Sequence, residues 1–225
     1  MRIIAGKAKG RKLLAPLNEG RDTRTGELKA TRPTLDRVKE AMFNIISHKI
    51  PEARVLDLFA GTGSLGLEAA SRGARSVVLV DTFRETYDLL VENIVSLGFN
   101  KECSSLQLDY MEALRRLALK NEVFDIIFID PPYLNDMIPP AVEYVVRHGL
   151  LDPDGVIVTK VDSRESIFPG LEKLHIVVER KYGNTTLVFY QLDAEEDNPE
   201  EEGSEADDTD EKMPGGLALD QRADR

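Results

Sequence analysis

Asp130-Pro131-Pro132-Tyr133 carries the residue types suited to gripping a flat group that bears an NH2. Asp130 can accept a hydrogen bond from an exocyclic amine. Pro131 and Pro132 have no N–H, and their fixed φ stiffens the loop. A main-chain carbonyl there can take the amine's second hydrogen. With both hydrogens held out of plane, the nitrogen lone pair turns toward an incoming methyl, and Tyr133 can stack on the ring. The amine becomes cationic as it is alkylated, and Asp130 would stabilise that charge and then accept or relay the proton. A methyl sulfonium is already activated, so positioning and in-line approach would supply most of the rate.

Three more aspartates, Asp57, Asp81 and Asp109, fall at or just inside the ends of apolar runs, as Asp130 does. One acid at a strand end means little, but four along one edge would line a single crevice. After Asp57 comes Phe59-Ala60-Gly61-Thr62-Gly63-Ser64-Leu65-Gly66, whose glycines let the backbone pass close to a ligand and turn tightly into a helix. Asp81 lies 20 residues after Gly61, the distance at which an acid grips ribose hydroxyls. A dinucleotide would put its pyrophosphate on that turn, and Asp57 would repel it. Asp57 would instead welcome the ammonium or sulfonium of S-adenosylmethionine, and Asp109 is placed to accept from an adenine N6 amine.

The elements that must hold these residues alternate. Strands are predicted over 54–59, 76–80, 103–108, 123–129 and 155–161, with helices over 64–71, 83–97, 111–119 and 136–148 between them. That order implies an α/β fold with a mostly parallel sheet covered on both faces. Residues 171–180 and 185–192 flank the turn Tyr182-Gly183-Asn184 and predict a final hairpin with an antiparallel edge strand. Ahead of the sheet, 1–20 reads as a short β-hairpin, 18–30 as a mobile polar loop, and Thr34 as the N-cap of a helix running to about Ser47. In that helix Leu35, Val38, Met42, Ile45 and Ile46 form one stripe, with Arg37, Lys39 and Glu40 on the other sides.

The formal net charge of −11 lies entirely in residues 193–225, which hold 14 acidic and 3 basic side chains. Residues 1–192 balance at 26 of each sign, yet 1–50 alone hold 12 basic against 5 acidic residues. A basic leading face suits a polyanion such as nucleic acid. The acidic tail has little to bury and is expected to be disordered. The single Cys103 excludes an internal disulfide framework and suits a reducing compartment. His48, His148 and His175 are scattered, and no cluster suggests a metal. No run approaches the ~18 apolar residues of a membrane span, and no signal-peptide core follows the N-terminal charges, so a soluble, cytoplasmic protein is expected.

The body resembles class I S-adenosylmethionine-dependent methyltransferases. More narrowly, Arg2-Ile3-Ile4-Ala5-Gly6 with Gly10-Arg11-Lys12-Leu13, Thr31-Arg32-Pro33-Thr34 with Arg37 to Asn44, Leu56 to Gly63, and the Asp130 to Tyr133 motif together resemble the RsmD family. The resemblance covers residues 1–192 and implies methylation of the N2 amine of one guanine in small-subunit (16S) ribosomal RNA, position 966 in standard RNA numbering. It implies that Asp57, Gly61 and Gly63 lie on the methionine and ribose side of the cofactor, that Asp81 holds the ribose and Asp109 the adenine, and that Thr34 and Asn44 stand near the methionine end. Asp130, Pro131, Pro132 and Tyr133 would hold the guanine N2, and Lys7, Lys9, Arg11, Lys12 and Arg32 would contact RNA.

The implied organisation is an RNA-contacting segment 1–33, a Rossmann-like methyltransferase domain 34–192 and the tail 193–225, acting as a monomer on ribosomal RNA or an assembling 30S particle. Several features depart from the family pattern: Asp81 for a more frequent Glu, a longer loop between Pro16 and Thr31, the acidic tail, and Lys160 where relatives often carry an acid. Two other functions share these residues. A DNA adenine or cytosine amino-methyltransferase would use the same chemistry, although residues 1–192 leave no room for a separate target-recognition domain. A nicotinamide-dinucleotide oxidoreductase would use the glycine turn alone.

Overall fold

In the computed structural model, residues 1–16, 32–132 and 136–194 are described, with 32–35 described by backbone alone. The expected mobile loop, Tyr133, the acidic tail beyond Ala194, and the side chains of Arg32 and Thr34 therefore lie outside the described residues.

The alternation resolves into one seven-stranded sheet. Its strands are β1 (Arg54–Asp57), β2 (Ser76–Asp81), β3 (Cys103–Gln107), β4 (Phe124–Ile129), β5 (Leu151–Asp162), β6 (Leu174–Tyr182) and β7 (Thr185–Leu192), and their spatial order is β3-β2-β1-β4-β5-β7-β6. The first five are parallel, and the expected α/β, mostly parallel sheet is borne out. The chain moves outward from β1 through β2 to β3, then returns to place β4 on the other side of β1. That reversal opens a crevice at the carboxyl ends of β1 and β4, where open α/β sheets bind ligands.

Helices α1 (Arg32–Ile45), α2 (Gly66–Ser71), α3 (Arg84–Leu97), α4 (Tyr110–Leu119) and α5 (Ile138–Arg147) cover the sheet. Strand β4 shows how two faces arise from one apolar run. Ile126 and Phe128 enter a core with Met42 and Phe43 of α1, Ile46 just after it, Leu67 of α2 and Leu90 of α3. Ile127 and Ile129 enter the opposite core with Leu114 of α4 and Val142 of α5. A strand buried on both faces has no polar face to alternate with.

Two expectations change. Helix α1 begins at Arg32, two residues before Thr34, so Thr34 is not its N-cap. Pro33 sits in the first turn, where a missing N–H leaves no intrahelical bond unmade. Lys39 is buried rather than on an open side, because a carboxylate on α2 meets it. The final hairpin stands at the sheet edge as expected, with β7 between β5 and β6, antiparallel to both, and β6 outermost. The short N-terminal hairpin is present, closed by the Arg2–Lys12 bridge and by backbone bonds from the N–H groups of Ile3, Gly10 and Leu13 to the carbonyls of Arg11, Ile3 and Met1. Its apolar residues Ile3, Ala8 and Leu13 are buried in the α1 side of the core.

Candidate active site

Side chains two residues apart on a strand share a face. Val55 on β1, Leu79 on β2, Phe128 on β4 and Val158 on β5 all enter the α1 side of the core. Asp57, Asp81, Asp130 and Lys160 follow them by two positions and so emerge on that same face, at the carboxyl edge. The register sets their depth. Asp57 pairs with Leu79 on one side and Phe128 on the other, so Asp81 and Asp130 stand two residues further out on either flank.

Asp57 is 1% exposed. Its Oδ2 accepts from the Gly66 N–H at 2.8 Å, while its Oδ1 has no partner among the described residues. Burial pushes its carboxyl up to about 7, helped by the like charges of Asp130 and Asp81 and opposed by the Gly66 N–H and Lys160. A buried carboxylate oxygen with no donor is costly, so this atom is suited to a cationic ligand.

The turn after β1 is held from beneath. Asp81 Oδ2 accepts from the Gly61 N–H at 2.8 Å, and its Oδ1 accepts from the Phe83 N–H at 2.9 Å and the Thr86 hydroxyl at 2.6 Å. Gly61 and Gly63 have φ of +55° and +92°. A Cβ on Gly63 would lie 2.6 Å from Leu67 Cδ1 and 2.7 Å from Leu90 Cδ1. Space beside Gly61 is open, with none of the described residues within 4 Å of where its Cβ would be. Glycine is thus required at one position by packing, and at the other it leaves the backbone clear for a ligand.

Among the described residues a cavity is lined by Asp57, Phe59, Gly61, Thr62, Asp130 and Lys160, with Asp36, Lys39 and Met42 of α1 on the opposite wall. Asp130 is half-buried, and one oxygen accepts from the Lys160 ammonium. Pro131 is buried and Pro132 exposed. The structure therefore brings Asp57, Gly61 and Asp130 to one cavity. Asp81 and Asp109 are not among its lining residues. Asp109 is exposed and caps α4 by accepting from the Met111 N–H at 2.9 Å, with the Phe59 and Tyr110 rings 5.1 Å apart beside it. Asn44 is exposed on α1 and is not brought to the cavity.

Residues 1–191 match the family model described as Conserved hypothetical protein 95. A Bacillus subtilis protein named Putative rRNA methyltransferase YlbH is 32% identical over 191 residues, covering 85% of this chain and 98% of that protein. Ribosomal RNA small subunit methyltransferase D of Escherichia coli K12 is 31% identical over 197 residues, 87% of this chain and 91% of the relative. The chain belongs to the RsmD family. A solved structure described as putative methyltransferase yhhF from Escherichia coli superposes with a TM-score of 0.73 at 28% identity, covering 86% of this chain and 98% of that one.

This RsmD-family chain holds its basic hairpin against the body. Lys7 pairs with Glu102 and lies over the Phe99 ring at 4.7 Å. Arg11 donates to the Ser96 carbonyl at 2.7 Å, and Lys9 and Lys12 are exposed. Sequence reasoning missed two buried joints between the hairpin and the turn after β1. Lys39 Nζ donates to the Arg2 carbonyl at 2.7 Å and the Ser64 carbonyl at 3.4 Å, and pairs with Glu68 at 3.1 Å. Asn93 Nδ2 donates to the carbonyls of Thr62 at 2.9 Å and Leu14 at 3.1 Å. A charge or amide in a helix gives no local sign that its partner lies tens of residues away. Lys160 was legible only as an unexpected residue type.

Proposed function

We propose that the chain transfers a methyl group from S-adenosylmethionine to the exocyclic N2 amine of a guanine in small-subunit ribosomal RNA, acting as a cytoplasmic monomer. The observation that carries this reading is the pair Asp57 and Asp130. They stand on one sheet face, on adjacent strands, in one cavity beside an open glycine turn, in a chain whose RsmD relatives are named as small-subunit ribosomal RNA methyltransferases.

The residues fit the cofactor. The partnerless Asp57 Oδ1 calls for a cationic donor, and the clear backbone at Gly61 admits a ribose or methionine chain. When bound, S-adenosylmethionine supplies a methyl group already activated by its sulfonium. In the proposed site Asp57, Gly61 and Gly63 face the methionine and ribose side, Asp81 the ribose and Asp109 the adenine. Asp130, Pro131, Pro132 and Tyr133 clamp the guanine amine. Asp130 accepts one amine hydrogen, which aims the lone pair, and then takes the proton that the alkylated nitrogen must shed. Lys9 and Lys12, with Lys7, Arg11 and Arg32, would meet RNA phosphates through a salt-dependent, sequence-independent attraction. Asn44 lies off the cavity and is left out of the proposed site.

The test is transfer of labelled methyl to 30S particles and to naked 16S RNA from cells that lack this protein, followed by mass spectrometry of the RNA. The expected product is N2-methylguanosine at one position, lost with Asp130→Ala. Label appearing in DNA and not in RNA would overturn the substrate class.

A further inference from the structure

Lys160 reaches into the cavity from β5 and donates to Asp130 Oδ2. The pairing follows from register. Ile129 of β4 lies beside Thr159 of β5, so Asp130 and Lys160 come one step later as side-by-side neighbours. Asp57, Asp130 and Lys160 thus form a row across three adjacent strands, two acids and then a base, with Asp81 beyond Asp57 on β2. The side chains of Lys160 and Asp130 are 19% and 22% exposed, where an ion pair is screened less than at an open surface.

We propose that Lys160 is a positioning residue for the acceptor amine, holding Asp130 Oδ2 so that Oδ1 alone is presented to the amine and balancing the charge of the two neighbouring acids. This rests on the methyltransferase reading above. A carboxylate that must aim a nitrogen lone pair needs a fixed plane, and a charge-assisted bond to one oxygen supplies it. An amine on Oδ1 stands nearer the carboxylate than the ammonium, so the pair keeps its negative end toward the nitrogen that becomes cationic. Lys160 also acts on Asp57, whose carboxyl it lowers against the pull of burial, Asp130 and Asp81. Among the described residues, Asp36 and Lys39 of α1 also line this cavity.

The experiment compares wild type, Lys160→Met, Lys160→Ala and Lys160→Arg as full chains, with 30S particles from cells lacking the protein. Met and Ala are expected to lower kcat by roughly 10- to 100-fold, as small misplacements of reacting groups do. KM for S-adenosylmethionine and for the particle should stay within about twofold, and Arg should restore most of the rate. In the free protein, carbon-13 NMR of the carboxyl groups should show the Asp57 titration moving above about 7 in Met and Ala and not in Arg. An unchanged kcat in both neutral variants overturns the proposal. A raised particle KM alone means a phosphate contact, and a faster Met variant means the lysine merely occupies the amine's place; each overturns it too. A wild type inactive on RNA sinks the methyltransferase reading instead, while the Asp57 titration still reports whether Lys160 governs the row.

Discussion

Glu68 and Asp57 are both carboxylates closed off from solvent, 0% and 1% exposed, on the same side of the sheet, yet they are treated in opposite ways. Glu68 is saturated. One oxygen accepts from the Ile4 N–H at 2.7 Å and pairs with Lys39, and the other accepts from the Ala5 N–H at 2.9 Å and Arg72 at 2.8 Å. Asp57 has one N–H and an oxygen with no partner among the described residues. Buried polar groups in native proteins are nearly always paired. Glu68 obeys that rule and joins the N-terminal segment to α2. Asp57 breaks it beside a cavity, and in the proposed function the unmade bond is capacity kept for a ligand.

The comparison breaks most visibly at Glu68. Glu68→Ala leaves Lys39 buried without its counter-charge and two backbone N–H groups without an acceptor. Removing one partner of a buried pair typically costs about 3–5 kcal/mol, and urea denaturation should show a loss of that size. A loss under ~1 kcal/mol would mean the network is not what ties residues 1–16 to the body.

Asp57→Asn should do the reverse. Asn keeps the acceptor for Gly66 and removes the charge. Folding raises the Asp57 carboxyl from 3.8 to about 7, so between those values the folded chain holds a proton that the unfolded chain has released. Stability therefore falls as pH rises through that window and stays lower above it. The variant is expected to be more stable than wild type at pH 8, by on the order of 1–3 kcal/mol, with the difference fading toward pH 4. Its affinity for S-adenosylmethionine should fall about tenfold or more, since an amide N–H would face the cofactor's ammonium. Parallel denaturation at pH 5 and 8 and calorimetry check both halves, and a variant that binds as tightly as wild type would return Asp57 to a structural role.

A smaller effect follows in the wild type. A cation beside Asp57 favours its ionised form, so S-adenosylmethionine should bind more tightly as pH rises from 6 to 8 and level off above about 7. Calorimetry in buffers of different ionisation enthalpy should show proton release on binding near pH 6.5. No release would mean the cofactor's charge is placed elsewhere.

How much of this was legible in the sequence depends on the range of each contact. The glycine turn, the acids at strand ends and the alternation of strands and helices are local, and the structure carries all of them. The place of β7 was also written locally: Thr186 to Tyr190 is a continuous buried run, while Leu174 to Tyr182 alternates with Glu179, Arg180 and Lys181 exposed. A run buried on both faces belongs inside a sheet and an alternating one at its edge, so the order β5-β7-β6 could have been inferred. Lys39, Glu68 and Asn93 could not. A buried charge looks like a surface charge until its partner is known, and Lys39 meets Glu68 only because α1 and α2 pack on one face. The Lys160–Asp130 pair likewise needs the β4–β5 register, which no local pattern supplies.

The gentlest test concerns Asp109, which has one duty in the structure and a second in the proposed function. As N-cap of α4 it accepts from the Met111 N–H, and losing such a cap typically costs about 1 kcal/mol. As an adenine contact it would accept from N6 with its other oxygen. Asn is as good an N-cap as Asp, but its single carbonyl oxygen cannot serve both donors as freely, and its NH2 would meet another donor. Asp109→Asn should therefore leave the melting temperature nearly unchanged while weakening S-adenosylmethionine binding a few-fold, and Asp109→Ala should lose both. If Ala lowers stability and neither variant alters binding, Asp109 only caps the helix. It would then stand with Glu68 as a satisfied structural acid, and Asp57 and Asp130 would be left as the acids turned toward ligand.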